Sequence, residues 1–131
     1  MIAGIGCDLV DLRRLQKFLA RYPQRLPQRL LAEKERAEFT ARNFAAEYLA
    51  GRIAAKEALA KALRQGMRAP LGWRRVSVLN ESGGAPSFLF DPQIAEYLRA
   101  RNIAACHLSL THHGDYAAAF VVAEFAAAAT S

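Results

Sequence analysis

The sequence has few cysteines, only Cys7 and Cys106 among 131 residues. Two thiols cannot make a disulfide framework, and with the few histidines they show no zinc-ligand spacing. Both lie in apolar runs, which predicts buried, reduced thiols. No apolar run is long enough to cross a membrane, and the N-terminus lacks the pattern of a secretory leader. We therefore expect a soluble, cytoplasmic protein.

Two motifs of well-known enzyme classes are also missing. The chain contains neither Gly-x-Ser-x-Gly nor a Gly-rich loop ending in Gly-Lys-Ser or Gly-Lys-Thr. A serine-hydrolase elbow and a P-loop nucleotide site are therefore excluded.

Acidic residues are absent from residues 12–32, a stretch that holds six arginines and lysines. Those six charges equal the formal net charge of the whole chain, +6. Concentrated positive charge favours an acidic or phosphorylated partner. A small nucleic-acid-binding domain is the alternative from another class, but the stretch has no recognition-helix motif.

The size and composition predict one globular domain. About half of the residues are hydrophobic (53%) and about a quarter are charged (23%), which excludes disorder and fibrous repeats. We expect residues 1–131 to form a single domain, with a dispensable tail over about residues 125–131.

The first half of the chain predicts mostly helices. A buried strand over residues 2–10 leads into a helix that Asp11 caps and that ends near Ala20. Pro23 and Pro27 predict turns. A short helix follows from Glu33 to Thr40. The longest helix is predicted from Phe44 to Leu63, with Asn43 as its N-cap and Gly66 as its terminator.

The second half predicts strands around one helix. Residues 75–79 and 87–90 form a hairpin, and a helix from Asp91-Pro92 to about Arg101 follows. Two final strands are predicted over about 105–110 and 116–124. Helices early and hairpins late predict a single-domain α+β fold, with a mostly antiparallel sheet packed against the long helix.

The long helix carries the most informative local pattern. At 100° per residue, Glu57 and Lys61 project from the same face. One interpretation is an exposed i,i+4 ion pair. The other is an acid beside a base in a site that binds a metal and a phosphate.

Asp8 follows an apolar strand and two glycines, where a strand end presents its side chain to a cleft. It is either a hydrogen-bond acceptor at a helix start or a metal ligand. Two carboxylates from separate elements suit Mg²⁺, which keeps several waters and completes its shell with substrate phosphates. Asp8 and Glu57 are candidates for such a pair.

Three segments together resemble the holo-(acyl-carrier-protein) synthases, the short bacterial 4′-phosphopantetheinyl transferases. They are Gly4-Ile-Gly-Cys-Asp8-Leu-Val, residues 47–62 around Ala-Ala-Lys-Glu57-Ala-Leu-Ala-Lys61, and His107-Leu-Ser-Leu-Thr-His112 followed by Tyr116. The resemblance extends from Met1 to about Glu124, and its middle segment is the most specific.

The resemblance implies transfer of the 4′-phosphopantetheine arm from coenzyme A to a serine of apo acyl carrier protein. Adenosine 3′,5′-bisphosphate is released, and the product serves fatty acid biosynthesis. It implies Mg²⁺ held by Asp8 and Glu57, with Glu57, Lys61 and His112 as catalytic residues. Coenzyme A is expected to contact Arg52, Lys61 and His112, in clefts between the subunits of a homotrimer.

This resemblance gives the basic stretch a partner, because acyl carrier proteins are small and acidic. Four arginines are predicted to dock the carrier: Arg14, Arg21, Arg25 and Arg29. The alternative for each of them is a solvated basic surface. A structural or adaptor protein, in which Asp8 and Glu57 are ordinary surface charges, is the third interpretation of the chain.

Overall fold

The computed structural model of the chain describes residues 1–128. Its elements, in chain order, are β1 (Ile2–Asp11), α1 (Leu12–Arg21), α2 (Arg25–Leu30), α3 (Glu33–Ala41), α4 (Ala46–Ala62), β2 (Val76–Asn80), β3 (Pro86–Phe90), α5 (Pro92–Ala100), β4 (Ile103–His113) and β5 (Tyr116–Phe125). Among these residues no helix has the length and apolarity needed to cross a membrane.

The strands form two antiparallel sheets, which confirms the α+β fold. The larger sheet has the order β1-β5-β4, and β2 and β3 form a separate hairpin. In the larger sheet Asp8 is in register with Ala119 of the central strand. The α4 helix packs across one face of this sheet, so its buried alanines and leucines form the main core together with residues of β5.

Two glycines let α4 approach β1 closely. A Cβ added to Gly4 would lie 1.9 Å from the carbonyl oxygen of Ala62, and one on Gly6 would lie 2.1 Å from that of Ala58. Real Cβ atoms do not come this close to backbone, so the contact requires glycine at both positions. The Gly-Ile-Gly segment therefore fixes the distance between β1 and the second half of α4.

The predicted capping of the long helix is wrong at both ends. Asn43 and Phe44 are in the left-handed region, with φ of 56° and 59°. Their N–H groups bond to carbonyls of Thr40 and Phe39, so they terminate α3 instead of starting α4. At the other end α4 stops at Ala62, and Arg64 is already left-handed, before Gly66 is reached.

The predicted turns at Pro23 and Pro27 are replaced in part by a helix. Pro27 is the third residue of α2, in the first turn, where its missing N–H has no intrahelical acceptor to lose. The prediction for Asp11 is confirmed, since its side chain accepts from the Arg13 N–H at 2.9 Å and caps α1.

The prediction of two buried thiols is wrong for Cys7, which is exposed on β1, while Cys106 is partly buried. Burial raises the pKa of the Cys106 thiol to about 11. The strand β5 extends through Phe125, whose N–H donates to the carbonyl of Met1, so the predicted tail begins later than residue 125. The last part of that tail, residues 129–131, lies outside the described residues.

Candidate active site

Asp8 and Lys61 meet where β1 crosses the C-terminal half of α4. Lys61 Nζ lies 3.1 Å from Asp8 Oδ1 and donates to the carbonyl of Cys7 at 3.0 Å. The ion pair with Asp8 raises the pKa of Lys61. Asp8 is largely covered, with 16% of its side chain exposed, whereas the Lys61 side chain is 56% exposed. A fixed carboxylate thus stands beside a cation that a substrate can reach.

Glu57 belongs to the same cluster, one turn before Lys61 on α4. Partial burial raises the pKa of the Glu57 carboxyl, the negative charge of Asp8 raises it further, and Lys61 lowers it. Glu57 directly precedes Ala58, whose carbonyl lies against Gly6 of β1, so α4 brings Glu57 to the strand that carries Asp8. Lys61 pairs with Asp8. The exposed i,i+4 ion pair between Glu57 and Lys61, one of the two interpretations of the helix pattern, therefore does not form.

The donor set at this cluster fits a magnesium ion better than a zinc ion. Among residues 1–128 no group of three or more His, Cys, Asp or Glu side chains is placed to hold a metal. The single positive charge of Lys61 only partly offsets the two negative charges of Asp8 and Glu57. The cluster therefore still attracts a cation. Mg²⁺ is commonly held by one or two carboxylates and completes its shell with water and phosphate.

His112 lies on β4, which is separated from β1 by the central strand of the larger sheet, and it is near the start of α4. Its Nε2 is 3.2 Å from the carbonyl oxygen of Glu47. Because a carbonyl only accepts, Nε2 carries a proton there and Nδ1 remains free for a ligand. A Cβ on Gly51 would lie 3.2 Å from the His112 ring, so the ring packs tightly against this glycine.

His112 and Asp8 are not neighbours within one chain. They stand on β4 and β1, the two strands that flank β5. With strands about 4.8 Å apart, the two backbones are separated by about 10 Å across the sheet. The structure thus brings together Asp8, Glu57 and Lys61. His112 lies apart from them, on β4 beside the start of α4.

Arg52 is buried, with 7% of its surface exposed. Its Nη2 donates to the carbonyl of Val78 at 3.2 Å, and its guanidinium stacks 4.1 Å from the centre of the Tyr48 ring. Through its bond to Val78, Arg52 connects α4 to β2. Its predicted contact with coenzyme A stays a prediction, and this burial counts against it.

The four arginines predicted to dock a carrier are all exposed. Arg14 and Arg21 lie on α1, and Arg25 and Arg29 lie on α2. The last two line an open cleft of about 1210 Å³. The guanidinium of Arg14 lies 5.8 Å from the ring centre of Phe18, which also lines this cleft.

The opposite wall of this cleft was not predicted from the sequence. It consists of Arg36 on α3 and of Trp73, Arg74 and Arg75 before β2, with Glu33 and Asp91 as its acids. Arg75 pairs with Asp91 at 3.6 Å. The excess of arginine makes the cleft basic, and no local pattern predicts it because Trp73, Arg74 and Arg75 are distant in sequence from α2.

Comparison with known proteins identifies the family. A family model described as the 4′-phosphopantetheinyl transferase superfamily matches residues 4–121. The holo-(acyl-carrier-protein) synthase of Thiobacillus denitrificans is 43% identical over 124 residues, which are 95% of each chain.

Two solved structures extend the comparison to the fold. The holo-(acyl-carrier-protein) synthase of Neisseria meningitidis has a TM-score of 0.91 at 36% identity, covering 95% of this chain and 99% of that chain. The enzyme of Bacillus anthracis, solved in complex with coenzyme A (3′,5′-ADP), has a TM-score of 0.78 at 32% identity, covering 96% and 99%. The chain therefore belongs to the 4′-phosphopantetheinyl transferase superfamily, as an enzyme of its holo-(acyl-carrier-protein) synthase family.

Proposed function

We propose that the chain transfers the 4′-phosphopantetheine group from coenzyme A to a serine of apo acyl carrier protein in a Mg²⁺-dependent reaction. The observation that carries this proposal is the meeting of Asp8, Glu57 and Lys61 at the crossing of β1 and α4. Acidic and basic groups at one point suit a reaction that moves negative charge between phosphate oxygens.

Asp8 and Glu57 are the residues that would hold the magnesium ion. When bound, Mg²⁺ supplies positive charge to the pyrophosphate oxygens of coenzyme A. Lys61 adds a second cation, and its exposed ammonium is free to turn from Asp8 towards a phosphate. An exposed lysine is protonated at neutral pH, so Lys61 keeps its positive charge when it leaves Asp8.

Glu57 is the group that we assign to the serine proton. The serine oxygen of the carrier forms a bond to the phosphorus that bears the pantetheine arm, and the bond from that phosphorus to the bridging oxygen breaks. The serine proton passes to Glu57, and adenosine 3′,5′-bisphosphate leaves. General base catalysis by a positioned carboxylate contributes about 10²–10⁴-fold to the rate.

His112 binds the phosphates of coenzyme A in this proposal, through its free Nδ1. In the proposed homotrimer coenzyme A lies in a cleft between subunits, where it would contact Asp8 of one subunit and His112 of the next. Arg52 keeps the same assignment as a prediction, and to make this contact its guanidinium would have to leave the Val78 carbonyl and the Tyr48 ring.

A homotrimer assembled through the outer face of the larger sheet would bring these parts together. Gly4 and Gly6 face α4, so the alternate residues of β1 face outward. Ile5 is 69% exposed, Leu9 is 63% exposed and Phe120 of β5 is 58% exposed. A continuous apolar sheet face of this kind is normally covered in solution, and a second copy of the chain is the occupant we propose.

The assembly is tested by light scattering after size exclusion. We expect three times the mass of one chain for the wild type and one chain mass for Phe120→Glu. Circular dichroism of Phe120→Glu separates dissociation from unfolding. A monomeric wild type at micromolar concentration contradicts the trimer.

The carrier is proposed to dock on the surface formed by Arg14, Arg21, Arg25 and Arg29, beside the basic cleft. Phe18 and Leu26 line the same cleft and offer apolar contacts between the charges. Charge complementarity of this kind accelerates encounter and fixes orientation. A role in fatty acid biosynthesis follows from the acyl carrier as substrate, and the free thiols of Cys7 and Cys106 agree with a reaction in the cytoplasm.

Release of adenosine 3′,5′-bisphosphate tests the proposed reaction. We expect stoichiometric release only when coenzyme A, apo carrier and Mg²⁺ are all present, and loss of release on Glu57→Gln. Release without carrier would indicate a hydrolase. A Glu57→Gln variant with wild-type turnover would remove Glu57 from the site.

A further inference from the structure

Lys56 precedes Glu57 on α4 but points in the opposite direction, into the protein. Its side chain is fully buried. Its ammonium donates to Glu35 Oε1 at 2.5 Å, to the carbonyl of Leu30 at 2.9 Å and to the carbonyl of Trp73 at 2.7 Å. All three of its hydrogen atoms therefore have an acceptor, and each acceptor belongs to a different segment.

Glu35 extends this anchor to β2 and also binds the start of its own helix, α3. It is also fully buried, and its Oε1 accepts from the N–H of Ala32 at 2.9 Å. Its Oε2 accepts from the N–H of Val78 on β2 at 2.9 Å. Arg52 binds the carbonyl of the same Val78, so α4 is tied to β2 from both sides of one residue.

A buried ion pair contributes little net stability, because removing two charges from water costs about as much as their attraction returns. Its geometry is nevertheless strict, since each atom of the Lys56–Glu35 pair has a specific partner. Such a pair is well suited to defining the position of an element.

The element defined here carries Glu57. The α4 helix is held against β1 on one side by the close contacts of Gly4 and Gly6. On the other side it is held by the three hydrogen bonds of Lys56, each of which would have to break for the helix to rotate or slide. Glu57 follows Lys56 directly, so its position relative to Asp8 depends on both contacts.

We propose that Lys56 is a positioning residue that, through its buried bonds to Glu35, Leu30 and Trp73, holds Glu57 at the distance from Asp8 that the metal site requires. This inference rests on the proposed function, because it concerns the site formed by Asp8 and Glu57. Partners that orient metal ligands typically change metal affinity about 10–100-fold when removed.

The test measures Mn²⁺ binding by electron paramagnetic resonance, with Mn²⁺ as the probe for the divalent cation and no substrate present. The variant Lys56→Met leaves the Glu35 charge buried without a partner, so the double variant Lys56→Met with Glu35→Gln is measured beside it. This pair keeps the volume and removes both charges. Ile94→Ala, a fully buried core position on α5, is the control for general loss of stability.

We expect the folded double variant to bind Mn²⁺ at least about tenfold more weakly than the wild type. Ile94→Ala should keep wild-type affinity even if it melts at the same temperature. In steady-state assays kcat should fall, with the KM for coenzyme A little changed, because Lys56 has no contact with substrate.

Several results would overturn the inference. Wild-type Mn²⁺ affinity in the double variant would show that Lys56 does not position Glu57. A double variant that does not fold would make the pair a requirement of folding itself, and an equal loss of affinity in Ile94→Ala would show a non-specific effect. If the wild type binds no Mn²⁺, or Asp8→Ala binds as tightly, the proposed metal site itself is wrong.

Discussion

The carbonyl oxygen of Ala58 occupies the space that a Cβ on Gly6 would need, with 2.1 Å between the two positions. Because the clash is with helix backbone, α4 must move away from β1 to accept any side chain there. We predict that Gly6→Ala lowers the free energy of unfolding by about 1–3 kcal/mol, the usual cost of overpacking.

Urea denaturation of Gly6→Ala measures this effect. The matched control is Gly83→Ala in the β2–β3 hairpin turn, where no atom lies within 4 Å of the added Cβ. We expect the control to stay close to the wild type. Equal stability of the two variants would mean that the contact between β1 and α4 is looser than described.

Glu57→Gln should stabilise the metal-free protein at neutral pH. The pKa of Glu57 is raised above its usual value of 4.5, so the folded state binds a proton more readily than the unfolded state. The stability of the wild type therefore falls as the pH rises through the folded pKa. The glutamine variant lacks this loss and should be more stable above that pKa.

This stability difference should vanish below pH 4.5, where the unfolded state is protonated as well. Thermal melts in chelator-containing buffer across this range provide the measurement. Added Mg²⁺ should stabilise the wild type more than Glu57→Gln. A Glu57→Gln variant that is less stable than the wild type at pH 7 contradicts the assigned direction.

The pKa of Glu57 should respond in opposite directions to its two charged neighbours. Asp8→Asn removes a negative charge and should lower the pKa of Glu57, whereas Lys61→Met removes a positive charge and should raise it. Carbon-detected NMR titration of the Glu57 carboxyl in metal-free protein gives both values. Shifts of the same sign in both variants would contradict the cluster.

Arg25→Glu should weaken the binding of the carrier without weakening the binding of coenzyme A. Arg25 lines the basic cleft, so a reversed charge opposes an acidic partner. We expect the KM for the carrier to rise severalfold, with a smaller difference at high salt, while the KM for coenzyme A stays unchanged. The control is Arg99→Glu on α5, which makes the same charge change outside this cleft; an equal effect there would reduce the role of Arg25 to net charge.

Local patterns in the sequence are sufficient to predict the strands, the N-cap at Asp11 and the family. They were insufficient where long-range contacts decide the structure. Asn43 is a good N-cap residue, yet it ends α3, because its left-handed backbone leads the chain into α4. Lys56 is spaced i,i+4 from Arg52 on α4, but its buried partner Glu35 stands 21 residues away, so no pattern within the helix predicts the pair.

The candidate site shows the same division. Asp8, Glu57 and Lys61 were predicted as site residues from their motifs, and the fold brings them together. The arginines Arg36, Arg74 and Arg75 of the basic cleft carry no local signal, because folding alone places them opposite α2. Burial of Arg52 likewise depends on β2, which the helix pattern does not include.

The most direct test of the central claim is the intact mass of an apo acyl carrier protein after incubation with the enzyme, coenzyme A and Mg²⁺. The account predicts a carrier heavier by one phosphopantetheine with the wild type, and an unmodified carrier with Asp8→Ala or Glu57→Ala, both folded. A carrier from the same organism that stays unmodified by the wild type would contradict it, as would full modification by either variant.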